Sequence, residues 1–88
     1  MWKRFEVEGV RFKYIDREAI VKVLQSPVAG FYRVKTGDRL ETISYKVYGV
    51  FNFWYFIAIF NNKKHALDIV VGELLKIPDY NYLKQIVK

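Results

Sequence analysis

The sequence predicts an α+β fold, with two strands paired as a small antiparallel sheet and two intervening helices covering one face. A β-hairpin-like arm precedes this βααβ unit. Three observations lead there. Apolar and charged residues alternate on both sides of Glu8-Gly9, which is strand periodicity about a turn. Leu40, Ile43 and Val47 recur at helical spacing. Two short apolar segments, at residues 31–35 and 74–77, are bounded by turn residues.

Phe5 and Val7 alternate with Glu6 and Glu8, and Val10, Phe12 and Tyr14 alternate with Arg11 and Lys13, so the chain is expected to turn back at Glu8-Gly9. Residues 17–25 fit either a short helix through Ile20, Val23 and Leu24 or a strand through Ile20-Val21 and Val23. Ser26-Pro27 ends that segment, and Ala29-Gly30 is expected to be a flexible joint. An isolated two-stranded hairpin is marginal in water, so the arm, residues 1–31, has to pack on the central unit or on another chain.

The central unit is expected over residues 32–78. After the first strand, Thr36-Gly37-Asp38 turns into a helix, with Asp38 as the expected N-cap and Glu41 three residues on. Gly49 stands where a helix ends in a left-handed residue. Asn52 is the next expected N-cap, and residues 53–60 are apolar at every position. A helix apolar all round is buried on more than one side, and in an 88-residue chain no second layer is expected to be available to cover its far side. Asn61-Asn62 ends it. Val70-Val71-Gly72-Glu73 forms a turn, and the last strand stops at Pro78. The tail, residues 79–88, carries Tyr82, Leu83, Ile86 and Val87 and suits a short amphipathic turn or an extended docked segment.

Composition bounds the function. Eighty-eight residues make one domain with a thin stability margin. Seven tyrosines, seven phenylalanines and two tryptophans exceed what so small a core is expected to hide, which points to a contact surface. Val34, Leu40, Ile43, Val47, Trp54, Ile57, Leu75 and Ile77 suffice for the interior. That leaves Tyr45, Tyr48, Phe53, Tyr55, Phe56 and Phe60 as candidate partner-binding residues, with Ile59 beside them, unless the arm folds back over some of them. Aromatic anchors of this kind carry most of the energy of an interface.

The net charge of +6 is dispersed, and only Lys3-Arg4 and Lys63-Lys64 are adjacent basic pairs. No stripe tracks a phosphate backbone, so nucleic acid is not the expected partner. The absence of cysteine excludes disulfides and thiolate metal sites. His65 is the single histidine, too little for a metal site or for activating Ser26 or Ser44 as a nucleophile. No catalysis and no cofactor are expected. The longest apolar run, residues 53–60, is too short to span a bilayer, which takes about 20 residues. The first residues, with Glu6, Glu8 and Arg11, lack the apolar core of a secretory signal.

The series Tyr32-x-Val34, Gly37-Asp38-x-Leu40, Ile43, Trp54-x-x-Ile57, Asn61 and Ile69-x-x-Gly72-x-x-Leu75-x-Ile77-Pro78 resembles the LysM domain, a βααβ module. Tyr45-x-x-Tyr48-Gly49 followed by Phe53-Trp54-x-x-Ile57-Ala58 is similar to the LysM variant of small baseplate wedge proteins in contractile-tailed, T-even-type phages. That resemblance implies a structural subunit of the virion tail baseplate, assembled in the host cytoplasm. Its partners would be other wedge or tail proteins and neighbouring wedges. The alternative that the wider family implies is binding of peptidoglycan or chitin through N-acetylglucosamine units, with Gly37, Asp38, Arg39, Leu67, Asp68 and Ile69 as the possible groove. Glycan-binding members commonly carry Thr where this chain has Arg39, and residues 66–69 offer few polar side chains.

Overall fold

The computed structural model describes the backbone of residues 3–7, 10–15 and 17–86 and the side chains of residues 20–86. The chain runs β1 (Lys3–Val7), β2 (Val10–Ile15), α1 (Arg17–Leu24), β3 (Val28–Arg33), α2 (Leu40–Tyr48), α3 (Trp54–Phe60), β4 (Leu74–Pro78) and α4 (Tyr80–Ile86). β1 and β2 pair antiparallel, with Val7 opposite Val10 and Lys3 opposite Ile15. The expected turn at Glu8-Gly9 lies outside the described residues. β3 and β4 form a second antiparallel pair, and α2 and α3 lie between them in sequence. This is the expected α+β, βααβ-like order, with four helices among the described residues.

Two open local alternatives resolve to helix, and one local expectation changes. Residues 17–24 are helical, and the tail also forms a helix rather than an extended segment. β3 begins at Val28, so Ala29 and Gly30 belong to the strand and are no joint. The ladder reaches that far because Val28 meets Pro78 and the Asp79 N–H donates to Pro27 O at 3.1 Å. A bulge between Val28 and Gly30 absorbs the extra residue. Past Arg33 the two chains stay joined only by turn bonds, from the Val34 N–H to Glu73 O and from the Gly72 N–H to Val34 O, each at 2.8 Å.

The interior has two parts. The first lies between the β3–β4 sheet and the α2–α3 pair and gathers Val34, Leu40, Ile43, Trp54, Ile57, Ala58, Ala66, Leu75 and Ile77. Every expected core residue is there except Val47, which is 36% exposed. In its place α2 turns Ser44 inward, and the Ser44 hydroxyl donates to Val50 O at 2.6 Å. That bond satisfies a polar group which would otherwise be costly to bury.

The second part lies on the far side of α3 and joins Val23 of α1, Phe53, Phe56 and Leu83 of α4. The expectation that no second layer is available for α3 is thus overturned: the two segments flanking the βααβ unit make one. Hydrogen bonds lock it in place. The Tyr82 hydroxyl of α4 donates to Lys22 O of α1 at 2.6 Å, and the Tyr48 hydroxyl of α2 donates to Pro78 O at 2.6 Å. The Ser26 hydroxyl donates to Pro27 O and accepts from the Asp79 N–H. Asp79 also starts α4, where its carboxylate accepts from the Tyr82 N–H at 2.9 Å.

Helix ends obey local chemistry. Gly49 takes φ +82° after α2, a conformation that L side chains resist. Its N–H returns to Tyr45 O at 2.8 Å. Asn62 takes φ 59° after α3, and the Lys63 N–H then reaches back to Ala58 O at 2.7 Å. Asn52 caps nothing. The residue ahead of α3 is Phe53, without a side-chain cap bond; its ring is buried instead.

Candidate functional site

Two surfaces correspond to the two sets of candidate residues. The first lies where the loop before α2 meets the loop after α3. The Leu40 N–H donates to Ala66 O at 3.0 Å, which stitches the loops together. Gly37, Asp38 and Arg39 precede Leu40 on one side of this seam, and Leu67, Asp68 and Ile69 follow Ala66 on the other.

Asp38 does not cap α2. The residue preceding the helix is Arg39, and the cap bond comes from Thr42, whose Oγ1 accepts from the Arg39 N–H at 3.0 Å and donates to Arg39 O at 2.8 Å. Glu41 accepts from Arg39 Nε at 3.3 Å and plays no part in capping. The Asp38 carboxylate turns back toward β3. It accepts from the Tyr32 hydroxyl and the Lys35 N–H, each at 2.8 Å, and from Lys46 Nζ at 3.0 Å. Its side chain is only 5% exposed. Burial pushes the carboxyl upward, but the bonds from Lys35, Tyr32 and Lys46 and the Lys46 charge outweigh it and hold it below the ordinary range. The same bond to Asp38, followed by that to Tyr32, holds the Lys46 ammonium above its ordinary value.

Asp68 is similarly employed. Its carboxylate accepts from the Lys64 N–H at 2.9 Å, while His65 Nδ1 accepts from the Leu67 N–H at 3.2 Å. Both groove carboxylates therefore hold turns. Gly37 and Leu67 are exposed, Arg39 is half-buried, and Ile69 is half-buried against the main core. What this seam presents to solvent is mostly backbone, the Leu67 side chain and the Arg39 guanidinium.

The second surface is aromatic, and the six partner-binding candidates do not share it. Phe53 and Phe56 are 8% and 6% exposed, within the second core, and in this conformation offer no surface to a partner. Tyr48, Tyr55 and Phe60 are half-buried. Tyr48 stacks on Tyr80 with centroids 5.3 Å apart and meets Phe53 edge-on at 5.9 Å. Burial, and then the Asp79 charge, raises the Tyr48 phenol well above its ordinary value. Burial also raises Tyr55. The Lys76 ammonium lies over the Phe60 ring at 5.9 Å.

Only Tyr45 of the six is open, at 52%. It has a companion that is not among the residues expected from the sequence. Phe51, 54% exposed, stacks on it with centroids 4.5 Å apart and planes 15° from parallel. The signal was Gly49, because a left-handed residue at the end of α2 folds the following chain back beside the last turn. Two stacked rings, each more than half exposed, form an apolar projection at the end of α2. Aromatic pairs of this kind carry large contact area at low ordering cost.

The nucleophile candidates are occupied, since the Ser26 and Ser44 hydroxyls both donate to backbone carbonyls. Among the described residues no cluster of three His, Asp or Glu side chains is placed to hold a metal ion. No described helix is long and apolar enough to cross a membrane. Comparison with known proteins finds no match among protein-family models, curated proteins or solved structures.

Proposed function

We propose that this chain is a non-catalytic structural module of LysM type, a wedge component of a phage contractile-tail baseplate acting through protein–protein contacts during assembly. The observation that carries the contact role is the stacked Tyr45–Phe51 pair, left open on a chain that buries its other phenylalanines of the 53–56 stretch. The baseplate assignment rests on the resemblance of Tyr45-x-x-Tyr48-Gly49 and Phe53-Trp54-x-x-Ile57-Ala58 to the wedge proteins, together with the βααβ order. Many copies in a ring would multiply a modest contact through effective concentration.

The test replaces Tyr45 and Phe51 together by Lys in a host producing tails. The expected result is a folded protein that is absent from purified particles, with wedge assembly halted. Normal incorporation of the double variant would remove the contact role. Binding of N-acetylglucosamine polymers is the second reading, favoured by the Leu40–Ala66 bond that joins the two loops carrying the groove candidates. Retention on purified peptidoglycan that is lost in Leu67→Asp would support it. Leu67 is the apt position because Asp38 and Asp68 hold turns, so changing them perturbs the fold as well.

A further inference from the structure

The β3–β4 ribbon has two outer edges, and they are not equivalent. On the β4 side, Asn61 closes the edge at its centre. Its Oδ1 accepts from the Lys76 N–H at 2.9 Å, and its Nδ2 donates to Lys76 O at 2.7 Å. A side-chain amide here makes the two bonds that a neighbouring strand would make.

These bonds also fix the orientation of β3. Lys76 lies opposite Phe31, and its backbone groups point away from Phe31 toward Asn61. The Phe31–Lys76 pair is therefore the non-bonded kind, and the alternation of an antiparallel ladder turns the Phe31 N–H and C=O outward. The same holds two residues on for Arg33, opposite Leu74. Val34, between Arg33 and the turn, points inward: its N–H donates to Glu73 O, and its carbonyl accepts from the Gly72 N–H. No other described strand joins β3 on this side.

The open edge has a chemical character. Phe31 is 63% exposed, and Arg33 shares its face. Arg33 Nη1 donates to Gly72 O at 2.8 Å, in the turn ahead of β4. Lys35 comes next and is exposed, and Lys76 shares the outer face of the ribbon. No acidic side chain lies within β3 or β4. The chain as a whole is +6.

We propose that the outer edge of β3 receives an extended, acidic segment of a partner protein as an added antiparallel strand, bonded to the backbone of Phe31 and Arg33. An apolar side chain of that segment lies against Phe31, and a carboxylate lies opposite Arg33. Strand addition draws affinity from main-chain bonds and selectivity from alternate side chains. A second copy of this chain suits the edge poorly, because it would bring Arg33 and Lys35 of both molecules onto one ribbon, and like charges across strands repel. The inference deepens the assembly reading and rests on it for the existence of a partner.

The experiment uses the full chain and two ten-residue probes, one alternating Glu with Val and the other Lys with Val. Binding is followed by NMR shifts and amide hydrogen exchange. The expected result is binding of the Glu–Val probe alone, with new protection at Phe31 and Arg33 and affinity that falls as salt rises. Arg33→Glu should keep the fold, weaken the Glu–Val probe about fivefold and favour the Lys–Val probe. Phe31→Pro removes an outward donor that the β3–β4 ladder does not use, an edge position that tolerates proline, and should abolish protection at Arg33. No binding, binding without protection of these two amides, or an affinity indifferent to Arg33→Glu would each overturn the proposal. Concentration-dependent protection of the same amides without probe would also overturn it, in favour of self-pairing. The tail-assembly test reads Tyr45 and Phe51 rather than this edge, so the two ideas can fail separately.

Discussion

Leu83→Ala is the sharpest probe of the second core. Leu83 is fully buried in α4 and meets Val23, Phe53 and Phe56, where α1 and α3 converge. Truncating a buried leucine loses transfer free energy and leaves a partly collapsed cavity, here worth about 3 kcal/mol. A chain of this length has roughly 4–13 kcal/mol of total stability, so one substitution in the last helix removes a large share. At roughly 4–8 °C per kcal/mol for a domain this small, the midpoint should fall by about 12–24 °C. Urea and thermal unfolding followed by circular dichroism measure both. Val47→Ala, at a position 36% exposed on α2, is the control and should cost about 0.5 kcal/mol or less. A Leu83→Ala protein within about 1 kcal/mol of the parent would mean that α4 does not share the cooperative core, and the two-part interior would have to be abandoned.

Phe56→Lys should unfold the chain rather than expose a docking defect. It exchanges a side chain only 6% exposed for an ammonium among Val23, Phe53 and Leu83, at a cost of more than about 3 kcal/mol; a well-folded monomer by NMR would contradict the burial. Asp38 should impose an acid-side dependence. Its folded pKa lies below the ordinary 3.8, so its contribution is present above that value and is lost as the pH falls through the folded pKa. Urea midpoints between pH 5 and 2 should fall less steeply in Asp38→Asn than in the parent, and equal slopes would show that the carboxylate's partners do not favour its charged form.

Periodicity made most of the βααβ unit legible. Val34, Leu40, Ile43, Trp54, Ile57, Leu75 and Ile77 were expected inside and are buried, because helix and strand spacing allow few other faces to turn inward. Val47 shared that spacing but lies past the width of the buried stripe, and Ser44 takes the inward place by bonding Val50 O. Asp38 illustrates a different failure. Its position suits a cap, yet Tyr32 and Lys46 compete for the carboxylate from other elements, and local spacing does not register such partners. The cover over α3 was hidden for the same reason. Val23 and Leu83 come from segments on either side of the βααβ unit, and local spacing does not show that they meet over α3. Judging Phe53 and Phe56 surplus therefore assumed too small an interior, whereas Tyr45 did prove open, beside a Phe51 that only the Gly49 reversal brings to it.

Asn61 has a consequence for growth. A ribbon with two bare margins can act as a link in an unending stack, each copy templating the next. Here one margin is plugged by an amide already saturated on Lys76, so a newcomer at that centre must first evict it. The ribbon is thereby left with one margin available for strand addition, and stacking through both of its margins is blocked.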